Sequence, residues 1–408
     1  MKEIFIMLLT YIRLFVIINL LNREVVIIMY KSFKFRLYPN NEQKILLNKS
    51  FGCSRFIYNY YLSKIKNNGY QNAYLNINDY VSNLKYEYSF LQEIDSTIIR
   101  KTLFHLDDNM KKFYNNGFGY PKYKSKFDRH SYTTSAVYNN YKNKRYCNIE
   151  IDLESRLIKL PKLKWVSIRG YRNIKSISGK IISATISREK NGKYYVSVLF
   201  DMVDVKNNDL IPRNIVGIDL GIKKLLTLSD GMTYENNKYI EKYEKRIKRV
   251  QIELSRKVKR SNNYNKCKKR LAVLYSKLKN ARNYYLHNIT KKITDEYDII
   301  TCENLTIQKM LKEQNLSKRI SDASFYEIIR QLEYKSKYKN KYFYQIDTYY
   351  PSSQECSMCG NIDKKYKDIK ERVYKCSKCH HEMDRDLNAS INIMYEGLKL
   401  YMKKEITI

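Results

Sequence analysis

The chain has 408 residues, enough for one large or two to three ordinary domains, and its 77 Lys and Arg against 41 Asp and Glu give a formal charge of +36. Self-repulsion on that scale opposes compactness, so solubility alone does not account for it; a polyanionic partner does, and nucleic acid is the commonest. An AT-rich coding bias, visible in 40 Tyr against 1 Trp, explains many of the lysines but not the shortage of acids.

Residues 1–28 stand apart. Ile4 to Leu21 is strongly apolar, broken by Arg13 and Asn19. It could be a membrane or signal segment, a buried helix, or a translated stretch upstream of a start at Met29. We favour the last, because no small-residue cleavage site follows Leu21, Asn22 to Glu24 is polar, and an orderly strand pattern begins straight after Met29. From Tyr30 to Leu37, Phe33, Phe35 and Leu37 alternate with Lys34 and Arg36, which predicts a half-buried strand with a basic outer face. Pro39 ends it and Asn40 or Asn41 can cap the next helix. Apolar residues then recur at helical spacing from Ile45 to Tyr61 with Gly52 as a break, so a helix-turn-helix-like pair is expected. Leu75 to Phe118 reads as mostly helical. Gly117 to Lys126 is a basic loop with interleaved aromatics, including Tyr120, Lys122, Tyr123, Lys124 and Lys126; it suits backbone contact with base stacking, or plain solvation.

Residues 147 to 200 read as strands, with Asn191-Gly192 predicting a two-residue hairpin turn. Together with the strand near Phe33 they could close a small β-barrel. A polar linker spans 201–213. From Ile215 the texture changes to a short apolar strand carrying Asp219, then a second strand from Leu225 to Leu228 that should lie antiparallel to it. Lys238 to Thr294 is long, basic and helical with a break near Ser261, as in a helical hairpin. Another apolar strand, Asp298 to Cys302, ends in Glu303. A helix at Tyr326 to Lys339, a strand at Tyr342 to Ile346, a cysteine segment and a last helix from about Leu387 complete the chain. The fold class expected is mixed α/β.

Two constellations carry chemistry. Asp219 sits inside an apolar strand, Glu303 at the end of a second, and Asp386 just before the final helix. A carboxylate in an apolar strand is costly unless compensated. A nearby Lys can do that, and then the acid is structural. Three acids at the ends of separate elements can instead converge on two Mg²⁺, which favour hard oxygen ligands and hydrolyse phosphodiesters. The second constellation is Cys356-x-x-Cys359 with Cys376-x-x-Cys379, the spacing of one structural four-thiolate Zn²⁺ site, with Gly360 to permit the turn. A redox dithiol pair is the competing reading, and His380 or His381 could replace Cys379. The other four cysteines, Cys53, Cys147, Cys267 and Cys302, are scattered. Paired thiols and no disulfide framework point to a reducing, cytoplasmic setting with no membrane partner.

In order, Phe33-Lys-Phe-Arg-Leu-Tyr-Pro39, Gly119-Tyr-Pro121, Gly217-Ile-Asp219-Leu-Gly221, Tyr284-Tyr-Leu-His287, Cys302-Glu303-Asn-Leu305, the two cysteine pairs and Asp384-Arg-Asp386-Leu-Asn388-Ala389 resemble the TnpB (OrfB) family of insertion sequences. The likeness runs from about residue 29 to 397. It implies an RNase H-like RuvC nuclease domain (213–350 and 384–408, with the basic hairpin at 238–294). A zinc ribbon (351–383) is inserted in that domain, and a WED-like β-barrel with REC-like helices (29–205) precedes it. Asp219, Glu303 and Asp386 match the family's catalytic acids, with Asp384 ranked behind Asp386. The partners implied are a guide RNA from the element's own end and double-stranded target DNA next to a short flanking motif, so that base pairing supplies the specificity. The N-terminal part, with Lys34, Arg36 and the 120–126 loop, would hold the nucleic acid. The alternatives are a non-catalytic regulator of transposition and a strand-joining transposase. The oligomeric state is left open.

Overall fold

The computed structural model describes residues 25–70, 77–141, 144–170, 179–206, 212–310, 312, 317–367 and 371–406. The apolar stretch from Ile4 to Leu21 lies outside them. The first strand, β1, spans Val25–Tyr38 and so starts four residues ahead of Met29. Residues 26–205 form one unit and residues 206–408 a second.

In the first unit β1 buries Phe35 and Leu37, while Lys34 is exposed and Arg36 half-buried on the other face, both against the Tyr195 ring. Pro39 stops the strand, and Asn40 caps α1 (Asn41–Asn68) with a reciprocal pair. Asn40 Oδ1 accepts from Gln43 N at 2.8 Å, and Asn40 N donates to Gln43 Oε1 at 3.0 Å. Here the expectation of a break at Gly52 is corrected, because α1 continues through it for 28 residues. A glycine inside a helix costs about 1 kcal/mol against Ala, whereas each buried large apolar side chain contributes about 1.5–3 kcal/mol. Leu47, Phe51, Ile57, Tyr58 and Leu62 are all buried along this helix, so the glycine is outvoted. Helices α2 (Ile77–Glu87) and α3 (Ser96–Asn116) pack into the same core, with Asp95 capping α3.

The strands are β2 (His130–Ser135), the hairpin β3 (Tyr138–Tyr141) and β4 (Lys144–Cys147), then β5 (Glu150–Asp152), β6 (Leu157–Leu160), β7 (Lys164–Arg169), β8 (Lys180–Arg188) and β9 (Tyr194–Lys206). Seven strands form one sheet in the order β2-β8-β9-β1-β7-β6-β5. Where a barrel was expected, this order has two ends, β2 and β5, with no pairing between them among the described residues. The β8–β9 hairpin lies where Asn191-Gly192 predicted it, but its loop has three residues. Glu189 N bonds Lys193 O at 2.9 Å, and Gly192 takes the left-handed backbone (φ 83°) that such a loop needs before its bulge.

The second unit is built on a five-stranded sheet: β10 (Ile215–Leu220), β11 (Lys224–Leu228), β12 (Thr233–Glu235), β13 (Ile299–Cys302) and β14 (Tyr342–Gln345), ordered β12-β11-β10-β13-β14. The β10–β11 and β11–β12 pairs are antiparallel, while β10–β13 and β13–β14 are parallel. Parallel neighbours require crossovers. The basic hairpin of α4 (Tyr239–Ser255) and α5 (Asn262–Glu296) supplies the first. Short α6 (Ile307–Met310), α7 (Ser317–Ala323) and α8 (Phe325–Tyr338) supply the second. Ser261 breaks the hairpin by capping α5, its Oγ accepting from Tyr264 N at 3.1 Å. The two-stranded ribbon of β15 (Val373–Lys375) and β16 (Glu382–Asp384) leads into the last helix, α9 (Arg385–Ile406).

Helix α9 lies directly on β10 and β13 because two glycines leave it room. A Cβ on Gly217 of β10 would overlap the Ser390 carbonyl oxygen and sit 2.8 Å from Met394 Cβ. A Cβ on Gly397 of α9 would sit 2.6 Å from Thr301 Cβ in β13. Each element therefore contributes one bare position to the other.

Candidate active site

Strands β10 and β13 are parallel with Ile218 opposite Cys302. The next residue on each is acidic, so Asp219 and Glu303 emerge side by side toward the carboxyl ends of the two strands, where open α/β sheets commonly place their sites. Their carboxyl groups are close enough for each to shift the ionisation of the other. Around them Ile218, Leu220 and Cys302 are buried. Burial pushes the Asp219 carboxyl well above its usual range, the charges of Glu303 and Asp386 add to the effect, and Arg385 opposes it. Burial also pushes Glu303 up, against the hydrogen bond from Ser352, the neighbouring Asp219 carboxyl and the charge of Arg385. Ser352 Oγ donates to Glu303 Oε1 at 3.0 Å.

Asp386 arrives on the first turn of α9, and Arg372 stands 3.8 Å from its Oδ2. Asp384 does different work. Its Oδ1 accepts from Asp386 N at 2.9 Å and Leu387 N at 3.1 Å, which caps α9, and its Oδ2 pairs with Lys224 at 3.0 Å. The structure thus separates two acids that the sequence places two residues apart, one spent on a helix cap and an ion pair and one, beside Arg372, whose charge reaches the strand acids. Asp219, Glu303 and Asp386 influence one another, yet they are not a single tight knot. Among the described residues only the four cysteines bring all their ligand atoms within 4.8 Å of one another.

In that cysteine cluster the sulfurs of Cys356 and Cys379 are 3.7 Å apart and those of Cys359 and Cys376 are 3.6 Å apart. A tetrahedron with zinc–sulfur bonds of about 2.3 Å has edges of about 3.8 Å, and a disulfide would be near 2.05 Å. The cluster therefore fits one zinc and excludes a paired-disulfide arrangement. The two knuckles are built alike. Gly360 N bonds Cys356 O at 2.9 Å and His380 N bonds Cys376 O at 3.1 Å. Gly360 (φ 74°) and His380 (φ 58°) both take the left-handed backbone that this turn demands. The amides of Cys379 and Lys378 point at Cys376 Sγ and hold its thiol down to about 6, favouring the thiolate that a metal binds.

The basic residues singled out in the sequence lie in the first unit. Lys34 sits 4.2 Å from the Tyr195 ring centre and 3.6 Å from a Glu189 oxygen. Arg36 lies over Tyr38 and Tyr195 at 5.1 and 5.6 Å. In the 117–126 loop Lys122, Tyr123 and Lys126 are exposed, and the Tyr120 ring leans edge-on against Phe113. Lys124 is pinned to α1. Its amide bonds Asn59 Oδ1 at 2.7 Å, and its ammonium lies 3.8 Å from the Tyr58 ring centre. Three site residues escaped the sequence reading. Arg385 could have been noticed as a cation framed by Asp384 and Asp386. Ser352 and Lys224 carry no local signal at all.

Comparison with known proteins agrees with this layout. Residues 197–314 match the OrfB_IS605 family, described as "Probable transposase"; residues 325–393 match the "Cas12f1-like, TNB domain"; and residues 29–73 match the OrfB "Helix-turn-helix domain". Two relatives carry the name "Putative RNA-guided DNA endonuclease". One, from Streptomyces pristinaespiralis, is 31% identical over 90% of this chain and 89% of its own. The other, InsQ of Escherichia coli K12, is 28% identical over 90% and 92%. The fold is also that of a Cas12f1 protein solved by cryo-EM with its guide RNA and target DNA. The match has a TM-score of 0.56 at 15% identity and covers 90% of this chain and 99% of the other. Identity at this level over nearly the full length of both chains, with the acids and the cysteine cluster on matching segments, places the protein in the TnpB (OrfB) family.

Proposed function

We propose that this chain is the RNA-guided DNA endonuclease of an insertion sequence and hydrolyses phosphodiester bonds of double-stranded target DNA through two Mg²⁺ held by Asp219, Glu303 and Asp386. In this reading 213–350 and 384–408 form an RNase H-like, RuvC-type domain and 351–383 a zinc ribbon, while 29–205 is a nucleic-acid-binding lobe whose seven-stranded sheet carries REC-like helices. One observation carries the proposal. Two half-buried carboxyls stand side by side at the ends of adjacent parallel strands, and neither has an ion-pair partner among the described residues. Such a pair is unfavourable by itself. It fits a divalent cation that supplies the missing charge.

When bound, the cations supply activation of the attacking water and stabilisation of the leaving oxygen. The protein's own part is positional. Asp219 and Glu303 offer paired hard oxygens from the sheet, and Asp386 adds a third from α9. Arg385 tempers their mutual repulsion and so favours the ionised forms that a cation needs. Asp384, spent on the α9 cap and on Lys224, fixes the helix that carries Asp386. In the first unit Lys34, Arg36, Tyr120, Lys122, Tyr123, Lys124 and Lys126 offer cations beside ring faces, which suits phosphate contact with base stacking and no base readout. The guide supplies the sequence specificity by pairing.

The test begins with the RNA that co-purifies with the protein. Its sequence defines a matched DNA, presented beside a randomised flank in Mg²⁺. Cutting is expected beside a restricted set of flanks. It is expected to fall to background in Asp219→Asn, Glu303→Gln and Asp386→Asn, with RNA retained. Cleavage surviving all three changes would remove the site assignment. Uncut but tightly bound DNA would favour a regulator, and joined DNA ends a transposase.

A further inference from the structure

Glu303 lies one residue beyond β13, and its own backbone does little to fix its side chain. Its carbonyl receives Gln345 Nε2 at 3.4 Å. Its carboxylate is held by Ser352, whose hydroxyl donates to Oε1 at 3.0 Å. Ser352 is buried, and so are the two side chains that anchor its segment. Asn392 of α9 donates through Nδ2 to the Ser352 carbonyl at 2.8 Å and to the Glu355 carbonyl at 2.6 Å. One helical turn earlier, Asn388 donates to the same Glu355 carbonyl at 2.7 Å and accepts from Ser357 N at 3.0 Å. Cys356, the first thiolate of the zinc cluster, lies between those two clamped residues. A largely buried chain of hydrogen bonds, passing through the backbone and side chain of Ser352, therefore runs from the first cysteine knuckle by way of two asparagines of α9 to the Glu303 carboxylate. The same helix carries Asp386.

The geometry assigns to Ser352 the role of positioning residue for Glu303, with Asn388 and Asn392 locking Ser352 to both α9 and the cysteine knuckle. This rests on the reading of Glu303 as a ligand for divalent metal. A hydroxyl donating to one oxygen of a carboxylate fixes its rotamer and directs its remaining lone pairs, and loss of such an outer partner typically costs 10- to 100-fold in metal affinity or activity. The asparagine clamp makes the zinc ribbon part of the metal site's scaffold and not merely a neighbour in sequence.

The experiment titrates Mn²⁺ into the zinc-loaded full-length protein and follows the free-Mn²⁺ electron paramagnetic resonance signal. Ser352→Ala should weaken Mn²⁺ binding about 10- to 100-fold with zinc content unchanged. Ser352→Thr, which keeps the hydroxyl, should recover most of the loss. On a Glu303→Gln background Ser352→Ala should have no further effect, because its influence passes through that carboxylate. Wild-type affinity in Ser352→Ala, or an equal loss on the Glu303→Gln background, overturns the assignment. Wild-type affinity in Asp219→Asn and Glu303→Gln themselves overturns instead the metal-ligand reading beneath it.

Discussion

Gly217→Ala adds one methyl group where β10 meets α9. The new Cβ would overlap the Ser390 carbonyl and lie 2.8 Å from Met394 Cβ, both held by the helix backbone. Neither can swing aside as a flexible side chain would, so the helix and strand must part by about 1 Å to restore van der Waals separation. Overpacking of this kind costs about 1–3 kcal/mol, which for a unit of this size lowers its melting temperature by about 2–12 °C. Function should suffer more than stability. Asp219 is two residues from Gly217 and moves with β10, whereas Asp386 starts α9 and moves with the helix. A displacement of about 1 Å between groups that act together can cost about 100-fold in rate. Cleavage of guide-matched DNA should therefore fall about 100-fold, while the variant still folds, holds zinc and retains its RNA. Wild-type cleavage together with an unchanged melting temperature would show that α9 does not need the gap, and the reasoning that ties the acids together through this packing would fail.

The mirror change, Gly397→Ala, meets Thr301 in β13 and should give a similar thermal loss, partly relieved by Thr301→Ser, as read by differential scanning calorimetry. Gly52→Ala is the opposite case. Nothing lies within 4 Å of the added methyl inside α1, so chemical denaturation should report a gain of about 0.5–1 kcal/mol. In the ribbon, His380→Gly should tighten zinc in a chelator competition because the left-handed backbone at φ 58° no longer burdens a side chain, whereas Gly360→Ala should weaken it. His130 gives a pH signature. Burial, then Arg188 and Arg55, hold its ring below the ordinary 6.5. The folded state then binds fewer protons than the unfolded one, so this contribution is full above about pH 6.5 and is lost as pH falls toward the lower folded value. Melting temperatures taken from about pH 7 to 5 should fall less steeply in His130→Gln.

Much of the second unit was legible because its signals are local. Apolar runs closed by single acids marked β10 and β13, and because their registers coincide at Ile218 and Cys302 the acids became neighbours without further help. Cysteine spacing is likewise a local constraint, and the four sulfurs met as expected. The failures came where distant contacts decide. Gly52 looks like a break until the buried face of α1 is seen to outweigh it. The hairpin gained a third loop residue because pairing continues to Glu189 and Lys193, beyond the alternating pattern. Ser352 was invisible because its importance depends on Glu303, 49 residues away, and on α9. The resemblance ranked Asp384 behind Asp386, but the cap hydrogen bonds and the Lys224 pair that occupy Asp384 had no signal in the sequence. The contacts of Lys124 with Tyr58 and Asn59 were equally invisible in the sequence.

Anomalous diffraction from crystals of the full-length protein soaked in Mn²⁺ would test most directly whether these acids hold divalent cations. Manganese peaks are expected at about 2.0–2.3 Å from carboxylate oxygens of Asp219 and Glu303, with Asp386 turned to the same ions. A map without manganese there, with Arg385 closing on both strand carboxylates in an ion pair, would contradict it.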